Sequence, residues 1–166
     1  MTGLAPLHHA ILLAAYAHAE QCDKAGDPYL WHVLRVGVSL LPDLDAALLG
    51  LLHDVPEDNP PCAGPARLLL SEDQNCALSL LTRAPSDDYH AYIARIASAP
   101  AAAGSLARKV KLADIADNLR IDRLLRLGAQ GGHHNDRAVA HLVAKYVHAL
   151  LLLLPANEKD ACFPRE

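Results

Sequence analysis

Pro42-Asp43-Leu44-Asp45-Ala46-Ala47-Leu48-Leu49-Gly50-Leu51-Leu52-His53-Asp54 is the stretch on which the fold turns. Proline followed by aspartate signals a helix start, and Leu44, Ala47, Leu48, Leu51 and Leu52 recur at helical spacing. The apolar content is nearly continuous, so this helix is expected in the centre of a core. Hydrophobic residues make up 52% of the 166-residue chain and aromatics only 4%. A core built from Leu, Ala, Val and Ile favours helices over sheets. No strand alternation stands out, and the chain reads as all-α.

The same periodicity predicts a first helix over 7–20 and a second over 29–40, with Asp27 as its cap and Pro28 at its first position. Prolines at 60, 61 and 65 mark 59–65 as a loop. Further helices are expected at 66–71, 73–83, 87–98, 104–119 and 135–154, with 128–134 as a connection. The length suits one domain, 1–155, followed by a tail, 156–166. A formal charge of −4 provides no basic footprint for DNA or RNA. Cys22, Cys62, Cys76 and Cys162 form no CxxC pair, which suits reduced thiols and a cytoplasmic location. The apolar runs 11–17 and 149–154 are too short to span a membrane.

Four ionisable residues within His53-Asp54-Val55-Pro56-Glu57-Asp58 end the apolar helix. Residues four apart share a helix face, pairing His53 with Glu57 and Asp54 with Asp58 wherever the helix continues. Pro56 disfavours helical backbone at Val55 and can kink or restart the helix. Acidic groups at a helix C-terminus oppose the dipole unless a cation compensates them. Taken alone, the stretch is equally a charged helix end. In Lys111-Leu112-Ala113-Asp114-Ile115-Ala116-Asp117-Asn118, positions 111, 114 and 118 share one face. That face is either a solvated surface or a metal and phosphate site. His32, set among apolar residues, is a core histidine or a ligand. Together His32, His53, Asp54 and Asp114 supply two imidazoles and two carboxylates, leaving positions open on an octahedral ion. Such a donor set without thiolate suits Mn²⁺, then Fe²⁺ or Mg²⁺, better than structural zinc.

The ordered set His18-x-x-Gln21, Lys24-x-Gly26-x-Pro28-Tyr29-x-x-His32, His53-Asp54-x-x-Glu57-Asp58, Leu81-Thr82-Arg83 with Tyr89-x-x-Tyr92-Ile93-x-Arg95-Ile96, and Lys111-Leu112-Ala113-Asp114-x-x-x-Asn118-Leu119 resembles the hydrolase domain of the RelA/SpoT superfamily. The similarity covers roughly residues 7–150 and is to its stand-alone small alarmone hydrolases. It implies an HD-domain helical bundle that removes pyrophosphate from the ribose 3′ position of guanosine tetra- or pentaphosphate with manganese. The resemblance implies that His32, His53, Asp54 and Asp114 bind the metal. Glu57 and Asp58 would orient or deprotonate the attacking water. Lys24, Lys111, Asn118 and Tyr146 would contact the nucleotide.

The chain departs from the family at three places. Asp23 stands before Lys24 where an arginine usually packs on guanine, and a carboxylate cannot supply that cation–π contact. Pro56 interrupts the acidic motif, and Asn59 replaces a threonine. A related HD phosphohydrolase acting on an adenine nucleotide or a phosphorylated dinucleotide is therefore a second expectation. A noncatalytic nucleotide-binding regulatory module is a third.

Overall fold

Asp43 begins the central helix as expected, its carboxylate accepting from the Ala46 amide at 3.1 Å. The computed structural model describes residues 4–129 and 133–154, and all of the regular structure among them is helical. In chain order the helices are α1 (Leu4–Ala17), α2 (Tyr29–Ser39), α3 (Leu44–Leu52), α4 (Val55–Asp58) and, after a 3-10 turn at Pro60–Cys62, α5 (Ala63–Leu68). They continue with α6 (Glu72–Leu81), α7 (Tyr89–Ser98), α8 (Ala101–Asn118), α9 (Ile121–Ala129) and α10 (His133–Leu153). No helix among the described residues is long and apolar enough to cross a membrane.

Every residue from Ala46 to Leu52 is buried, as a helix apolar on all sides requires. α3 packs against α1, α2, α6 and α8. Leu49 and Leu52 are wholly excluded from solvent, each worth about 1.5–3 kcal/mol of burial. Glycines let α2 and α3 cross closely: a Cβ on Gly50 would lie 3.3 Å from the Gly37 Cα and 2.7 Å from a Leu40 methyl. This crossing lies five residues from His32 on α2 and three from His53 at the end of α3. It brings the two imidazoles to 5.6 Å between centroids.

Several boundaries differ from the sequence expectation. Pro28 itself precedes α2 as its cap, and Asp27 instead pairs with Arg126 at 2.6 Å. The proline-rich 59–65 stretch is largely helical, because prolines at the first positions of a turn have no amide to lose. α8 starts at Ala101, and α9 occupies a region expected to carry no helix. Gly128 belongs to α9 and His133 to α10, whereas 130–132 and the tail 156–166 lie outside the described residues. Cys22, Cys62 and Cys76 are free thiols.

Gly50→Val is expected to lower stability by about 1–3 kcal/mol through overpacking at this crossing. The loss should appear as a reduced Tm in thermal unfolding, and an unchanged Tm would show that the two helices can separate at no cost.

Candidate metal centre

Pro56 restarts the chain as α4 rather than kinking α3. Asp54 ends up between the two helices, with its carbonyl accepting the amides of Glu57 at 3.1 Å and Asp58 at 3.0 Å. The break turns Asp54 back toward His53 and sets Glu57 and Asp58 along a separate short helix. At the other end of α4, Asn59 donates to the Ala17 carbonyl at 3.2 Å and ties that helix to α1.

His32, His53 and Asp114 are 4%, 2% and 4% exposed. They form a group whose donor atoms all lie within 4.8 Å of one another. His32 Nε2 is 3.2 Å and His53 Nε2 3.8 Å from Asp114 Oδ1. Asp54 Oδ2 approaches the same two nitrogens, at 3.6 Å and 3.0 Å. Each imidazole is oriented through its other nitrogen: His32 Nδ1 bonds Asp117 Oδ2 at 2.7 Å, and His53 Nδ1 bonds the Gly50 carbonyl at 2.7 Å. A carbonyl only accepts, so the His53 proton resides on Nδ1 in the neutral ring and a lone pair on Nε2 faces the centre. That Nε2 is buried and forms no hydrogen bond, its neighbours being the carboxylates of Asp54 and Asp114.

These donors fit a divalent cation. Octahedral bonds of about 2.1 Å at right angles place neighbouring donors about 3.0 Å apart, close to the shortest separations here. Without a cation, protons take its place. Burial disfavours the imidazolium form, but Asp114, Asp117 and Asp54 outweigh it and push His32 up to about 11. Burial opposes the charged His53 as well, and the Asp54 charge with the Asp114 contact raises it to about 10. Although burial favours neutral carboxyls, the neighbouring cations hold Asp54 and Asp114 well below the usual carboxylate range. Asp117, three residues after Asp114, does not replace it. It bonds the far side of His32 and the Arg35 guanidinium, Nε at 2.5 Å and Nη2 at 2.9 Å.

Above this centre opens a cavity of about 430 Å³ whose lining includes Glu57, Asp58, Lys24, Lys111, Asn118 and Tyr146. All six of these sequence-singled residues therefore share one space with Asp54 and Asp114. Glu57 Oε1 accepts the Arg83 amide at 2.7 Å, and Asp58 Oδ2 accepts from Gln21 Nε2 at 3.0 Å. Burial raises both carboxyls above their ordinary values. Lys111 is partly buried, with its ammonium 2.7 Å from Asp114 Oδ2. Asn118 is engaged at both ends of its amide, donating to Asp114 Oδ1 at 2.6 Å and accepting from Arg123 Nη1 at 2.7 Å.

Sequence reasoning passed over Tyr29, Asp117, Arg123 and Lys145 as site residues. Tyr29 donates to Asp54 Oδ2 at 2.6 Å. Lys145 lies 3.9 Å from the Tyr89 ring centroid and 5.1 Å from that of Tyr146, on the cavity wall. Burial, then the charges of Lys24, Arg83 and Lys111, lower its pKa. The cavity thus has a carboxylate floor and a cationic wall. The helical spacing of Asp117 from Asp114 was the signal available for that residue. Arg123 meets Asp23 from 100 positions away, which no local pattern reports.

Comparison of the chain with family profiles and with the sequences of curated proteins finds no match.

If the cluster holds a divalent cation, His53→Ala should abolish its uptake and Asp117→Asn should weaken it about 10–100-fold by loosening His32. Both are read by manganese titration of the folded variants. Unaltered affinity in His53→Ala would remove this cluster from consideration as the metal centre.

Proposed function

We propose that the chain is a manganese-dependent HD-type phosphohydrolase, acting as a guanosine 3′,5′-bis(diphosphate) 3′-pyrophosphohydrolase related to the small alarmone hydrolases of the RelA/SpoT superfamily. The observation that carries this reading is the buried His53 Nε2, which forms no hydrogen bond and faces the carboxylates of Asp54 and Asp114 at the floor of a cavity that also holds Glu57 and Asp58. The cationic wall of Lys24, Arg83 and Lys145 supports a ligand with anionic groups beyond those at the floor. A cytoplasmic nucleotide is the substrate class that fits this proposal.

His32, His53, Asp54 and Asp114 would hold the ion, which when bound supplies acidification of water and polarisation of a phosphoryl oxygen. Glu57, anchored through Oε1 by the Arg83 amide, presents Oε2 to a water and takes its proton. Asp58, held by Gln21, orients that water. The water oxygen adds to the phosphorus bonded to the ribose 3′ oxygen, and that P–O bond breaks. The sugar oxygen leaves with a proton taken from solvent, which in turn receives the proton held by Glu57, and GDP and pyrophosphate are released. Lys111 keeps Asp114 ionised, and the wall cations neutralise the phosphates.

A second reading, an HD phosphohydrolase for an adenine nucleotide or phosphorylated dinucleotide, is favoured by the Asp23 carboxylate being turned to Arg123 in the nucleotide loop. Incubation of manganese-loaded protein with guanosine tetraphosphate should release GDP and pyrophosphate. Phosphate release from an adenine substrate alone would select the second reading, and nucleotide affinity without any turnover would indicate a regulatory binding module.

Glu57→Gln should lower kcat by about 10²–10⁴-fold with manganese affinity retained. A base works only when deprotonated, and burial raises the Glu57 carboxyl above 4.5. At saturating manganese, kcat should therefore fall as pH drops through the Glu57 titration, and Glu57→Gln should lose that acid limb. Full activity in Glu57→Gln would exclude it as the base.

A further inference from the structure

One loop reaches three of the site carboxylates. Residues 21–29 form a tight reversal closed by the Asp23 amide on the Asp27 carbonyl at 2.8 Å and the Tyr29 amide on the Gln21 carbonyl at 2.9 Å. Gly26 supplies the positive φ of 87° that the turn needs. From this loop Gln21 reaches Asp58, and Tyr29, where the loop enters α2, reaches Asp54. The third connection is indirect. Asp23 Oδ2 accepts from Arg123 Nε at 2.9 Å, Arg123 Nη1 donates to Asn118 Oδ1 at 2.7 Å, and Asn118 Nδ2 donates to Asp114 Oδ1 at 2.6 Å.

We propose that Arg123 is a positioning residue for the metal ligand Asp114, acting through Asn118 and held in place by Asp23. The inference rests on reading the His32, His53, Asp54 and Asp114 cluster as a metal centre. Its physical basis is the polarity of an amide. Asn118 has one acceptor end and one donor end, and a guanidinium only donates. With Arg123 on Oδ1, the Nδ2 end must face Asp114. The opposite orientation would set two donors together at Arg123 and two acceptors together at Asp114.

Of the two Asp114 oxygens, Oδ1 is the one that faces the imidazoles, 3.2 Å from His32 Nε2 and 3.8 Å from His53 Nε2, so the Asn118 bond fixes the atom that would meet the ion. The carboxylate's other oxygen is held by Lys111. Asp23 and Arg123 side chains are 3% and 9% exposed, so the pair is shielded from water. Asp23 Oδ1 is meanwhile taken by the amides of Ala25 at 2.8 Å and Asp27 at 3.0 Å. The acidic residue before Lys24 therefore faces inward, to an arginine delivered by α9.

The test is the manganese affinity of the 166-residue chain, with the metal alone as probe and free Mn²⁺ read by electron paramagnetic resonance. Arg123→Lys keeps the charge for Asp23 but lacks the planar fork that also reaches Asn118. Combining Arg123→Met with Asp23→Asn removes both charges and leaves neither buried alone. Folding of each is checked by helical circular dichroism. Both are expected to bind manganese about tenfold more weakly. Unaltered affinity in either folded variant overturns the inference and leaves the metal centre intact. Absence of manganese uptake by the unaltered chain overturns the metal centre and this inference with it.

Discussion

Buried carboxylates demand positive charge, and the arrangement of this molecule around α2, α3 and α8 follows from meeting that demand. Asp54 and Asp114 face the same two imidazoles at the floor of a cavity, and removing an ionised carboxylate from water is costly without a partner. Lys111, His32 and His53 supply countercharge in the metal-free protein. The partner groups Asp117 and Gly50 each take one imidazole nitrogen and direct the other inward. Such oriented second nitrogens are what a metal-binding histidine requires.

Backbone architecture brings these groups together from distant segments. The Gly37 and Gly50 crossing allows α2 and α3 to approach until the rings of His32 and His53 are neighbours. Termination of α3 at Leu52 turns Asp54 inward, and α4 carries Glu57 and Asp58 to the cavity edge. α8 contributes Lys111, Asp114, Asp117 and Asn118 from two successive turns. α7 and α10 bring Tyr89, Lys145 and Tyr146 to the opposite wall, where stacked cation and rings leave positive charge facing the cavity.

The all-α class and the central position of α3 were legible because apolar periodicity and the Asp43 cap act locally. The ten residues singled out as ligands, acids or nucleotide contacts converge at the His32, His53 and Asp114 cluster and the cavity above it, since their order along the chain is informative even without distances. What local pattern missed has identifiable causes. Prolines at 60, 61 and 65 were read as loop formers, yet they start short helical turns. α9 was overlooked because its strongly amphipathic nine residues follow α8 after a gap of only two. Arg123 sits on that missed helix, and its pairing with Asp23 is set by tertiary packing. Asp23 consequently looked like a defect in a nucleotide loop, whereas it anchors an inward-facing ion pair.

The most direct test is the anomalous diffraction signal from crystals of the protein grown with manganese. One peak is expected, bonded to His53 Nε2, His32 Nε2 and the carboxylates of Asp54 and Asp114, with Asp117 outside the coordination sphere. A peak elsewhere, or none while His53 Nε2 stays without a partner at full manganese loading, would contradict the metal centre on which the proposed chemistry depends.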